Sequence, residues 1–180
     1  MSLKRIITTI VCALCVNVAA YCQYGVLGLR FGSTKEEAME YFRSRFGYGV
    51  AVEDGYKISM NDIRYAGIEF RFLEFRFIWV NNKTYFNSAS FGNPIELCDV
   101  EAAKTAREII IEELKKKYTY IEEYVNSDGF KCYKFGENPN NPNNVTGSLV
   151  IFKGKGKDGK ERLYLNVNYF PFIEESTNDL

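Results

Sequence analysis

The run IRYAGIEFRFLEFRFIWV, residues 63–80, constrains the fold more than any other stretch of the chain. Large apolar and charged residues alternate along it. A period of two is the signature of a strand with one face buried and the other wet. The phase slips inside the run: Ile68, Phe70 and Phe72 take even positions, whereas Phe75, Phe77 and Trp79 take odd ones. A straight strand cannot bury both sets on one face, so a bulge or hairpin is expected near Leu73 and Glu74. Phe75, Phe77 and Trp79 are expected to pack beneath helices as core.

Two segments carry the helical period needed to cover such a sheet. STKEEAMEYFRSRFG, residues 33–47, sets Ala38, Met39, Phe42 and Phe46 on one stripe. Ser33 and Glu36 match the capping-box pattern S-x-x-E. Glu36, Glu37 and Glu40 form a solvated face near the positive end of the helix dipole. VEAAKTAREIIIEELKKKY, residues 100–118, follows an N-cap at Asp99 and aligns Ala103, Ala106, Ile110 and Leu114. Its Glu112–Lys116 and Glu113–Lys117 pairs have the favourable i,i+4 order.

Strand patterns follow each helix. GVAVED, YKISM, the long run and TYFNSASFG come after the first, with turns at Asp54–Gly55 and VNNK. YTYIEEYV, FKCYKFG, GSLVIFKG and RLYLNVNYF come after the second, with a turn at NSDG. The order predicts an α+β domain of two tandem α-β-β-β(-β) repeats, residues 23–97 and 98–172, and a tail over 173–180. One antiparallel sheet would carry both helices on one face. With LRFGSTKEEA and IRYAGIEF, this order resembles the β-lactamase-inhibitor-protein-like architecture of small secreted bacterial domains. The resemblance covers roughly residues 24–172 and implies a fold. It transfers no inhibitory residue, because function belongs to sites rather than folds.

The N-terminus predicts export. Lys4 and Arg5 precede the apolar run IITTIVCALCVNVAA, and small residues then permit cleavage after Ala20 or Cys22. This is the layout of a signal peptide over residues 1–22. Tyr21 before Cys22 argues against a lipoprotein, and a periplasmic or secreted location is expected. Loss of Lys4 and Arg5 leaves 21 basic against 23 acidic residues, a net charge near −2. That balance gives no footprint for nucleic acid. No second stretch is long and apolar enough to span a membrane after processing.

The chain has no histidine. Ser-His-Asp triads, Cys-His pairs and His-ligated metal sites are therefore excluded. GKGKDGKE, residues 154–161, fits the phosphate-binding pattern G-x-x-x-x-G-K-[ST] except at Glu161. A phosphate loop must lead into a helix whose N-terminus faces the anion. Here the strand pattern RLYLNVNYF follows, so the expected structure is a hairpin turning at Asp158–Gly159, with no nucleotide or other cofactor.

If Leu163, Leu165 and Val167 are buried, then Arg162, Tyr164, Asn166 and Asn168 point outward, as do Glu74 and Arg76 opposite Phe75 and Phe77. A wet sheet face mixing Arg, Tyr and Asn suits a binding surface as well as an ordinary solvated one. The Asn- and Pro-rich segment 137–147 is expected to be an exposed loop. Asn82 and Asn144 begin glycosylation sequons. Cys98 and Cys132 remain after processing, and an oxidising compartment predicts that they pair as a structural disulfide. The expected function is a non-catalytic module for a protein or peptide partner. A histidine-free hydrolase using paired carboxylates and an envelope structural or assembly factor are the alternatives.

Overall fold

A computed structural model describes residues 25–48, 51–136 and 145–170. Over the described residues the protein is α+β, with two helices and a large antiparallel sheet. Strands β1 (Gly25–Val26) and β2 (Leu29–Arg30) form a small hairpin. Helix α1 (Lys35–Phe46) follows, and then β3 (Val52–Asp54), β4 (Lys57–Tyr65), β5 (Ile68–Val80) and β6 (Lys83–Ile95). Helix α2 (Val100–Lys117) precedes β7 (Tyr120–Val125), β8 (Lys131–Gly136), β9 (Val145–Lys155) and β10 (Glu161–Tyr169). The eight-stranded sheet has the order β3-β4-β5-β6-β10-β9-β8-β7. The cleavage sites, the tail 173–180 and Asn144 lie outside the described residues, as does most of the 137–147 segment.

The first helix starts one residue later than its sequence pattern suggests. Thr34, not Ser33, is the N-cap, and the capping box is completed by Glu37. Glu37 N–H donates to Thr34 Oγ1 at 3.2 Å, and Thr34 N–H donates to Glu37 Oε2 at 2.8 Å. Both Ser33–Glu36 and Thr34–Glu37 fit S/T-x-x-E. The frame is decided by the backbone of Ser33, whose carbonyl accepts from Phe86 N–H at 2.8 Å in β6. Ala38, Met39 and Phe42 are buried from this helix. In α2 the buried set is Ala103, Arg107, Ile110, Ile111 and Leu114. Ion pairs form on α2 at i,i+3, Glu112–Lys115 and Glu113–Lys116.

The long aromatic run is two strands. The chain turns at Ala66–Gly67, both at positive φ (49° and 78°), which is the backbone of a tight hairpin. No hairpin lies at Leu73–Glu74. The phase slip falls between Phe70 and Leu73, both fully buried, and β4 slips in step with it. Asp62, at φ 53°, is the β4 residue where Ile58 and Met60 give way to Ile63 and Tyr65. Phe72 is thereby sent to the opposite side of the sheet from Leu73. Phe75 and Phe77 are core as expected, but Trp79 is 59% exposed. It stands on the β5–β6 hairpin beyond the end of β4, whose last partner on β5 is Arg76.

One register row joins Phe75, Ala89, Tyr169, Gly147 and Phe135 across five strands. Phe42 of α1 packs on Phe75 with ring centroids 4.6 Å apart, and Tyr118, which caps α2, packs on Phe135 at 4.8 Å. The Tyr169 hydroxyl is hydrogen-bonded to Tyr65 and Tyr118 within this core.

The expected Cys98–Cys132 disulfide is not formed: both thiols are free. Cys98 is exposed ahead of α2, whereas Cys132 is buried in β8, its Sγ 3.5 Å from Phe130 O. The start of β8 is met by Arg107, whose Nη1 donates to Lys131 O at 3.1 Å. Arg107 lies more than two helical turns beyond Asp99, an advance of about 12 Å, whereas bridged Cα atoms sit within about 7 Å. Burial pushes the Cys132 thiol above its ordinary pKa, which keeps it protonated and poorly nucleophilic.

Candidate functional site

Cross-strand partners share a face of the sheet, so register determines which side chains stand together. The side opposite the Phe75 row carries a polar row running Ser59, Glu74, Ser90, Asn168, Ser148, Lys134 and Glu122 over seven strands. Its members bond along the row. Ser90 Oγ donates to Asn168 Oδ1 at 2.7 Å, and Asn168 Nδ2 donates to Ser148 Oγ at 3.2 Å. Lys57 Nζ and Arg76 Nε donate to the two oxygens of Glu74 at 3.0 and 2.5 Å. Partial burial raises the Glu74 pKa, but these two cations outweigh it and hold the carboxyl below its ordinary value.

The next row is Asn61, Phe72, Gly92, Asn166 and Val150. Gly92 is required here, because a Cβ at that position would overlap the Phe72 ring. Asn166 Oδ1 is buried without a hydrogen-bond partner. Beyond it Tyr164 lies between Pro94 and Phe152 and stacks on the Phe152 ring at 5.5 Å and 19°. Arg162 closes this end. Its Nη1 and Nη2 donate to Asp158 Oδ1 and Oδ2 at 2.7 and 2.6 Å, and its Nε lies 3.6 Å from Glu96 Oε1. The guanidinium holds the Asp158 carboxyl well below the usual carboxylate range. A carboxylate so held is a poor general acid.

GKGKDGKE is the β9–β10 hairpin. Gly159 N–H donates to Gly156 O at 2.9 Å, and Gly159 has φ 76°. The segment leads into a strand, β10, and not into a helix. Together with Phe72, Pro94 and Tyr164, this hairpin borders an open groove of about 650 Å³ that also takes in Arg71 and Lys157.

All six outward residues proposed from the sequence stand on this side of the sheet, but they divide into clusters. Glu74 and Arg76 join Lys57, and Glu74 continues through Ser90 to Asn168. Arg162 and Tyr164 belong to the groove, and Asn166 lies between the two. Sequence reasoning missed Arg71, Phe72, Lys157 and Asp158 as groove residues. Only the phase slip signalled that Phe72 might leave the core. Among the described residues no group of His, Cys, Asp and Glu could hold a metal ion, and no helix is long and apolar enough to cross a membrane.

Compared with protein-family models, curated proteins and solved structures, the chain finds no match. The likeness to β-lactamase-inhibitor-protein-like domains therefore rests on element order and the segments LRFGSTKEEA and IRYAGIEF.

Proposed function

We propose that this chain is an exported, non-catalytic binding module of the bacterial envelope or periplasm, and that the polar side of its sheet is the binding surface. The observation that carries this reading is the polar row from Ser59 to Glu122, with an aromatic groove at its flank. Small hydroxyl and amide groups held in register by their own hydrogen bonds form a preorganised surface, which lowers the ordering cost of binding. We also infer two tandem α-β-β-β-β units with both helices on one face. The Phe75–Phe135 row supports this, because it carries Phe42 at one end and Tyr118 at the other.

Capture from envelope extract tests the reading. Mature protein should retain a ligand that Ser90→Arg, which places a bulky charge in the middle of the row, does not. Capture unchanged by that substitution, or no capture by either protein, would refute it. Export is tested separately: the mature N-terminus should be Tyr21 or Gln23, and recovery of intact Met1 from the envelope fraction would refute it.

A further inference from the structure

The groove combines two features that the rest of the surface keeps apart. The first is unanswered positive charge. Both carboxylates in the groove, Asp158 and Glu96, face Arg162. Arg71 and Lys157 border the same cleft and have no ion-pair partner among the described residues. Three cations line the cleft against two carboxylates, a net charge of about +1, and the two that face no acid, Arg71 and Lys157, are the ones placed to meet an anion.

The second feature is aromatic surface on the wet side. Phe72 is the residue that the phase slip removes from the core, and its ring lies over Gly92. Tyr164 leans toward Gly154, where a Cβ would come within 3.1 Å of its ring. The two glycines leave room for the rings, and Tyr164, stacked on Phe152 by one face, has only its other face to offer a ligand. Both rings remain partly exposed and border the groove. Ring faces stack well against the flat C–H faces of a pyranose. A groove of about 650 Å³ is of ordinary size for a small-ligand site.

The geometry points to a subsite for an acidic sugar. Its ring would lie on Tyr164 and Phe72, and its carboxylate or sulfate would be held by Arg71 and Lys157. This inference rests on the sheet side being a binding surface and adds the class of ligand. An acidic peptide without proline or aromatic residues could answer the cations, but it has no flat C–H face for the aromatic rings.

Calorimetry on the mature protein tests it. The probes are trigalacturonate, for a carboxylated sugar, and a heparin-derived tetrasaccharide, for a sulfated one. Their controls are methyl-esterified trigalacturonate and pentaglutamate. At least one acidic saccharide should bind. The double variant Arg71→Ala/Lys157→Ala and the single variant Tyr164→Ala should each weaken it tenfold or more. Tyr164→Phe, which keeps the ring, should retain binding, and Lys116→Ala, an exposed cation on α2 away from the polar side of the sheet, should leave it unchanged. Melting curves confirm that each variant is folded. Binding of neither saccharide, equal binding of the ester or of pentaglutamate, or indifference to Tyr164→Ala would each overturn the inference. If the saccharides fail while Ser90-dependent capture persists, the binding module stands and the acidic-sugar subsite falls.

Discussion

Gly92→Ala measures the packing that forms the floor of the groove. The new methyl must displace the Phe72 ring, which occupies its place. Overpacking costs about 1–3 kcal/mol, and the lower half applies because a ring tip can move. Gly92 is not among the glycines with left-handed φ, so alanine fits the backbone. Replacing glycine where alanine fits stabilises by about 0.4–1 kcal/mol through the unfolded chain. The net single-mutant effect is thus a loss of about 1 kcal/mol. With Phe72→Ala already present there is no ring to displace, and the same substitution should stabilise by about 0.5 kcal/mol. The coupling between the two sites is the difference, about 1.5 kcal/mol, within the range for residues in contact. Urea denaturation of the four proteins reads it directly, provided that the m-values agree. If Gly92→Ala has the same effect with and without Phe72, the ring does not lie over Gly92 and the account of the groove fails.

Three further outcomes are expected. Thr34→Ala should destabilise by about 1 kcal/mol in thermal or chemical unfolding, while Ser33→Ala should be nearly neutral, because Thr34 supplies the cap. On native protein, an alkylating reagent should label Cys98 and spare Cys132 until unfolding, and non-reduced mass spectrometry should find no disulfide. Burial holds the Tyr169 hydroxyl well above its ordinary pKa, helped by the neighbouring Tyr65 and Tyr118. The folded state therefore keeps a proton that the unfolded chain releases near pH 10, so stability should be intact below that pH and fall as pH rises beyond it. Tyr169→Phe should flatten this alkaline slope, and an unchanged slope would refute the assignment.

Much of the fold was legible because period and turn chemistry are local. The stripes of α1 and α2, the Asn81–Asn82 turn and the Asp158–Gly159 hairpin are each set by neighbours in sequence. The Ala66–Gly67 turn was missed because its first residue is alanine, which seldom adopts positive φ and gives no warning in the sequence. The capping frame was ambiguous until the contact of Ser33 with Phe86 decided it. The outward residues were found from alternation, but their division into a row and a groove depends on register between strands far apart in sequence. The fate of Trp79 depends on where β4 begins, which no property of Trp79 encodes. The cysteines were misjudged because helix start and strand start were taken as level, whereas Arg107 is the residue that meets β8.

The seam between β6 and β10 has a kinetic consequence. In the large sheet, every other pairing joins consecutive strands and can form by local zippering, but at the seam residue 89 must find residue 169 and residue 95 must find residue 163. Long-range pairing of this kind is slow, because loop-closure entropy is spent before any contact repays it. Until the seam closes, each four-stranded half presents an unpaired edge bearing Phe91 on one side and Val167 on the other. The same contacts are available between chains as within one, and protein concentration decides between them. A concentrated refolding mixture would therefore favour exchange of halves between two molecules, giving a dimer whose strand pairings repeat those of the monomer.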